Sequence, residues 1–115
     1  MRAAQRRLPE ATHVVDTGNF AVVAEHALLA RSELDFTGTP NGRFMGVGLG
    51  YALGACLNPG QRPVILWVGD GGLRSYFAEL ALAVEQQVSL LVLVMKDGHY
   101  GSIRGRAQSQ GWTEA

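Results

Sequence analysis

Two uninterrupted apolar runs in the second half of the chain restrict the fold more than any other feature. Residues 63–68 (PVILWV) and 89–95 (SLLVLVM) contain no charged side chain, which is typical of strands that are covered on both faces. Between them, residues 75–87 place Phe77, Leu80 and Val84 at helical spacing. A strand, a helix and a second strand in succession predict two parallel strands of one sheet.

The first half of the chain continues the same alternation with weaker signals. Residues 13–16 and 34–37 are short strand-like segments, residues 20–30 are rich in Ala and Leu, and residues 44–57 predict a buried helix that Asn58-Pro59-Gly60 ends. Residues 102–115 are polar and weakly patterned. We therefore predict an α/β fold, a doubly wound and mostly parallel sheet with helices on both faces, in one domain over residues 1–115.

Charge and cysteine content exclude several classes of protein. Ten Lys and Arg residues balance ten Asp and Glu residues, so the basic surface of a nucleic-acid binder is absent. The apolar runs are too short to span a membrane. The one cysteine, Cys56, cannot form an internal disulfide, and a reducing, cytoplasmic location is expected.

Each apolar run ends in a glycine-rich acidic segment. Gly69-Asp70-Gly71-Gly72 follows the first run, and Asp97-Gly98 follows the second. Ligands of open parallel sheets bind at the carboxyl ends of the strands, where glycines let the backbone approach a phosphate and carboxylates suit Mg²⁺. The spacing alone fits equally well two strand-to-helix turns without a ligand.

A resemblance to a known family covers most of the chain and gives these segments a function. Gly69-Asp70-Gly71-Gly72 and Asp97-Gly98-His99-Tyr100-Gly101 resemble the two ends of the thiamine diphosphate motif of the acetolactate synthase and 2-oxo acid decarboxylase family. Upstream, residues 44–55 resemble its Met-Gly-containing helix, and Asp16-Thr17-Gly18 its early Asp-x-Gly turn.

The resemblance implies a role for each matching residue. Asp70, Asp97 and the carbonyl of His99 would be ligands of Mg²⁺, and the amides around Gly71 and Gly72, beside Gly69, would hold the diphosphate. Met45 would support the bent cofactor, the carbonyl of Arg43 would face its amino group, and Tyr100 would lie near the cofactor. No catalytic residue of this chain is implied.

The sequence departs from the family at two positions. Lys96-Asp97 stands where the family has Asn-Asn, and Arg43 where Gly is commoner. Asp97 is a hard oxygen ligand but adds a negative charge beside Asp70 and a diphosphate. Lys96 either compensates for that charge or, because side chains alternate along a strand, points away from the metal.

The resemblance also implies what the chain would lack. It covers about two-thirds of one domain of a three-domain enzyme, so the domain is expected to be incomplete at its C-terminal side. A pyrimidine-binding domain or subunit would complete the site in a homo-oligomer that acts on a 2-oxo acid, by decarboxylation or carboligation, and the isolated chain would be inactive.

Two further functions remain open from the sequence. The chain could be a non-catalytic phosphate- or nucleotide-binding module, or a subunit-interaction module. For the latter, Gly46, Gly50 and Gly54 lie four residues apart and predict a flat helix face that a neighbour can approach closely.

Overall fold

The described residues of a computed structural model, 1–39, 43–58, 60 and 62–112, form a parallel α/β sheet. The strands are β1 (Thr12–Val15), β2 (Phe36–Gly38), β3 (Val64–Gly69) and β4 (Leu90–Met95). The helices are α1 (Arg2–Arg7), α2 (Asn19–Ala27), α3 (Gly48–Cys56), α4 (Asp70–Tyr76), α5 (Leu80–Glu85) and α6 (Gly101–Ser109), and a 3-10 turn at Phe77–Glu79 joins α4 to α5. The strand order is β2-β1-β3-β4, with every pair parallel.

This order confirms the predicted α/β class. It also means that the direction in which the chain adds strands to the sheet reverses at β1. From β1 the chain moves outward to β2, then returns across β1 to β3 and continues to β4. The carboxyl ends of β1 and β3 are therefore neighbours from which the connections diverge. Such switch points are where doubly wound sheets bind ligands.

Apolar side chains cover both faces of the sheet. Alternate residues of β3 point to opposite sides: Leu66 and Val68 pack with α3, whereas Ile65 and Trp67 pack with α2. Residues 64–68 are all buried, as the apolar run predicted. At the sheet edge, β4 is only half covered, and Leu91 and Val94 each keep 44% of their surface exposed.

Several predicted boundaries differ from the structure. One helix was expected over residues 75–87, but the chain becomes helical already at Asp70 and breaks at the 3-10 turn. The early start follows from Asp70 itself, because a carboxylate in the first turn stabilises a helix. The polar tail, predicted to be weakly patterned, begins with α6. Pro59, which belongs to the predicted helix stop, lies outside the described residues, and so do residues 113–115 of the tail.

The predicted helix over residues 44–57 begins only at Gly48. Gly46 adopts a φ of 86°, a left-handed conformation that glycine tolerates and that interrupts a helix. The predicted stripe of Gly46, Gly50 and Gly54 on one helix face is therefore wrong at its first position. A Cβ at Gly50 or Gly54 would meet no atom within 4 Å.

Among the described residues, no helix has the length and apolar character that a membrane span needs. Cys56 packs against the α3 side of the core, and burial raises the pKa of its thiol.

His13 and Trp67 form a buried polar pair on adjacent strands. The indole Nε1 of Trp67 donates a hydrogen bond to Nδ1 of His13 at 3.0 Å, and the two rings are stacked. Because Nδ1 accepts this bond, the proton of the neutral ring lies on Nε2, which is buried and has no hydrogen-bond partner among the described residues. Burial lowers the pKa of His13.

We expect the free energy of unfolding to fall as the pH drops below about 6.5, the ordinary pKa of a histidine. There the unfolded chain binds a proton at residue 13 and the folded chain does not, so acid favours unfolding by up to about 1.4 kcal/mol per pH unit. Urea unfolding at pH 7.5 and pH 5.5 measures the difference. His13→Phe should reduce the difference in unfolding free energy between the two pH values, and His26→Gln, at an exposed position, should not. An equal effect of both variants would contradict the assignment of the pH dependence to His13.

Candidate functional site

A cleft of about 240 Å³ opens at the carboxyl ends of β1, β3 and β4. Its walls come from the turn after β1, the first turn of α4 and the segment that joins β4 to α6. Eight of the nine predicted site residues line it: Met45, Gly69, Asp70, Gly71, Gly72, Asp97, His99 and Tyr100. The ninth, Arg43, lines a neighbouring cleft instead.

Asp70 and the two glycines after it form the first turn of α4. At Gly71, an added Cβ would lie 2.9 Å from the ring of Tyr100. At Gly72, it would lie 2.5 Å from Oδ2 of Asp16 and 3.1 Å from the amide nitrogen of Gly46. Any larger residue at 72 would therefore enter occupied space, and the bare backbone of this turn is a requirement of the packing.

A buried carboxylate holds the floor of the cleft together. Asp16 follows β1 and has no exposed surface. Its Oδ2 accepts a hydrogen bond from the amide of Gly46 at 2.7 Å, and its Oδ1 accepts one from the amide of Gly48 at 3.0 Å. These bonds fix the segment that carries Met45 against the end of β1. The sequence suggested only a family-like turn at Asp16, because neither partner is near it in the chain.

Asp97 shapes the opposite wall. Its Oδ1 accepts a hydrogen bond from the amide of His99 at 2.9 Å, which turns the chain back toward α6. A Cβ at Gly101 would lie 3.0 Å from Oδ2 of Asp97 and 2.9 Å from the side-chain nitrogen of Asn19. Carboxylate and amide thus approach the same point of the cleft wall, and Gly101 leaves room for both.

Lys96 lines the same cleft as Asp70 and Asp97. The role of its charge beside the two carboxylates, which the sequence left open, stays a prediction.

The donor set fits magnesium that is shared with a phosphate. Among the described residues, no group of three or more His, Cys, Asp or Glu side chains has the arrangement of a metal site. Two carboxylates and backbone carbonyls in one cleft nevertheless suit Mg²⁺, which usually takes one or two carboxylates and completes its shell with phosphate oxygens and water. The glycine-lined turn beside Asp70 is where a diphosphate would approach the backbone.

Sequence reasoning missed several residues of the cleft. Asn19 and Ser102, polar residues in the first turns of α2 and α6, line the cleft. The ring of Phe20 lies 3.5 Å from where a Cβ at Gly69 would be. Thr17, Gly18, Lys96 and Gly101 also line the cleft; they lie within or beside the motifs of the sequence, but no contact with the cofactor was predicted for them. Met95 completes the lining. A prediction that a helix follows Tyr100 would have identified Ser102 as a site residue, because helices that begin at the carboxyl ends of strands point their first turn at the site.

Comparison with known proteins shows similarity to one family and to curated proteins. The family model described as "Thiamine pyrophosphate enzyme, C-terminal TPP binding domain" matches residues 16–115. A probable 2-ketoarginine decarboxylase, AruI of Pseudomonas aeruginosa, is 38% identical over 94 residues, which are 81% of this chain and 16% of that protein. The chain thus spans about a sixth of the length of this curated relative.

Proposed function

Because this chain belongs to the family of C-terminal, TPP-binding domains of thiamine pyrophosphate enzymes, we propose that it supplies the diphosphate- and Mg²⁺-binding half of a 2-oxo acid decarboxylase or carboligase site. The observation that carries this proposal is the convergence of Asp70, Gly71 and Asp97 on one cleft at the switch point of the sheet. Bound thiamine diphosphate supplies an electron sink at its thiazolium ring for loss of CO₂.

In this proposal the cleft binds the cofactor through its charged end. Asp70 and Asp97, with the carbonyl of His99, hold Mg²⁺, and the amides of Gly71 and Gly72 face the diphosphate. Lys96 adds a positive charge beside these groups. This charge offsets the extra carboxylate that Asp97 contributes in place of the family's Asn.

The floor of the cleft positions the cofactor rings. Met45 lines the cleft and is held there through the bonds of Asp16 to the Gly46 and Gly48 amides. We assign Met45 the support of the bent cofactor, and the carbonyl of Arg43 the contact with its amino group. Arg43 has a φ of 51°, which explains why glycine is the commoner residue at a position of this shape.

The other half of the site is proposed to come from a pyrimidine-binding domain or a second subunit. The chain corresponds to about a sixth of its relative. The family resemblance also implies that a glutamate on a different domain activates the aminopyrimidine ring of the cofactor. We therefore expect a homo-oligomeric intact enzyme, and no turnover by this polypeptide alone.

The substrate proposed is a 2-oxo acid with a positively charged side chain. The relative at 38% identity is named for 2-ketoarginine, whose guanidinium end sets it apart from pyruvate. Decarboxylation is favoured over carboligation on the same ground.

Calorimetric titration with thiamine diphosphate tests the proposal. With the pyrimidine-binding half present, we expect micromolar binding in Mg²⁺ and at least tenfold weaker binding in a chelator, because Asp70 and Asp97 would hold the cation that offsets the charge of the diphosphate. A preference for another phosphate ligand would favour a nucleotide-binding module. No binding by folded, partner-complete protein would favour a subunit-interaction module.

A further inference from the structure

A second cleft, of about 630 Å³, lies directly beside the first. It opens between the carboxyl ends of β1 and β2 and one face of α2. The two clefts share Thr17, Gly18, Asn19 and Ser102. A molecule in the second cleft would therefore lie against whatever occupies the first.

The second cleft is lined by apolar and polar residues. Val15, Ala21 and Phe36 supply apolar lining. Thr17 and Thr39 line it too, and their hydroxyl groups are hydrogen-bonded to each other at 2.8 Å. Polar groups placed beside apolar ones fix the orientation of a small molecule in a pocket.

Charges of opposite sign line this cleft at Glu25 and Arg43. Asp16 lines it too, but its two oxygens already accept the Gly46 and Gly48 amides. Among the described residues, the one ion pair within 4.0 Å joins Arg62 to Asp35, at the other end of the sheet. Glu25 and Arg43 thus remain separate charges, each available to a ligand.

Glu25 lies further along α2 than the residues that the two clefts share. Ala21, Val22 and Glu25 share one side of α2 and together line the cleft. Glu25 follows Asn19, which both clefts share, by six residues, a distance of about 9 Å along a helix. A ligand that reaches Glu25 from the shared residues would therefore extend by about 9 Å along this helix.

Arg43 combines an unfavourable backbone conformation with a useful charge. A φ of 51° is uncommon for a residue with a Cβ, and residues held in such conformations cluster at ligand-binding sites. A guanidinium group binds a carboxylate through two parallel hydrogen bonds. Glycine would fit the backbone better but would supply no such group.

We propose that the second cleft is the substrate pocket, in which Arg43 binds the carboxylate of a 2-oxo acid and Glu25 binds the cationic end of its side chain. This assignment rests on the proposed function, because the first cleft must hold the cofactor against which the substrate reacts. It adds the residues that select the substrate.

The test compares two 2-oxo acids of equal length, one with a guanidinium end and one with a neutral amide end, on the holoenzyme. Glu25→Gln should lower kcat/KM for the cationic acid at least tenfold, mainly by raising KM. The same substitution should change kcat/KM for the neutral acid less than twofold. Glu85→Gln, which removes a carboxylate outside both clefts, should alter neither. Equal losses for both acids, or no loss, with Glu25→Gln would overturn the assignment of Glu25.

Arg43→Gly tests the other end of the pocket. Glycine suits the left-handed backbone, so the variant should fold at least as well as the wild type, keep its cofactor affinity and lose at least tenfold in kcat/KM for both acids. Unchanged kcat/KM would overturn the role of Arg43.

Equilibrium dialysis of each acid against cofactor-free protein separates this proposal from the proposed function. If the protein retains the cationic acid more strongly than the neutral acid, and Glu25→Gln abolishes this difference, the pocket is supported even if thiamine diphosphate does not bind. Cofactor binding without any preference between the two acids overturns the pocket and leaves the proposed function standing.

Discussion

Replacing Asp70 with alanine is expected to weaken the Mg²⁺-dependent binding of thiamine diphosphate at least a hundredfold, about 2.8 kcal/mol. Asp70 lines the cleft at the first turn of α4, and its carboxylate is proposed to be a ligand of the Mg²⁺ that would accompany the diphosphate. Without it, one of two side-chain ligands is lost and the diphosphate faces a weaker cation site. Calorimetry in Mg²⁺ and in a chelator measures the effect.

Asp97 provides the matched comparison. Asp97→Asn keeps an oxygen ligand and removes one negative charge, so it should bind the cofactor as tightly as the wild type or more tightly. Asp97→Ala should bind at least tenfold more weakly, about 1.4 kcal/mol. If Asp70→Ala and Asp97→Ala both bind like the wild type in Mg²⁺, the two carboxylates do not share a metal and the proposed function loses its main support.

Gly72→Ala is expected to destabilise the fold by about 3 kcal/mol or more and to abolish cofactor binding. The new methyl group would lie 2.5 Å from the buried Oδ2 of Asp16. The carboxylate must then move and leave the amides of Gly46 and Gly48 without their acceptor. Crowding in a packed interior and unsatisfied buried donors each cost about 1–3 kcal/mol. Urea unfolding measures the loss.

Gly50→Ala is the control for this substitution. Gly50 lies in α3, and a Cβ there would meet nothing within 4 Å. Because alanine favours a helix over glycine by about 1 kcal/mol, this variant should be slightly more stable than the wild type. Similar losses of stability for Gly72→Ala and Gly50→Ala would mean that the contact with Asp16 does not limit residue 72.

The strands were the most accurate part of the sequence prediction. The run at residues 63–68 became β3 with a shift of one residue, and the run at 89–95 became β4. Both could be predicted because a strand covered on two faces is a local pattern of apolar residues. The helix expected over residues 75–87 was wrong at its start and interrupted, because amphipathic spacing contains no signal for the 3-10 turn at Phe77–Glu79.

The cleft was predictable to the extent that parallel strands bring their carboxyl ends together. This rule, with the family resemblance, identified the segments at Asp70 and Asp97, and the structure places both on one cleft. Asn19 and Ser102 were missed because their roles depend on where two helices begin. The second cleft was missed because Glu25 and Arg43 are brought to it by different elements.

The sequence by itself determined which segments are strands, that the sheet is parallel, and which acidic and glycine residues stand at the strand ends. These are properties of short stretches of chain, and periodicity records them. Only the tertiary structure decided that Asp16 holds the amides of Gly46 and Gly48, 30 and 32 residues away, and that glycine is required at 72. Such constraints arise where distant segments exclude each other's atoms and share hydrogen bonds, and no local pattern encodes them.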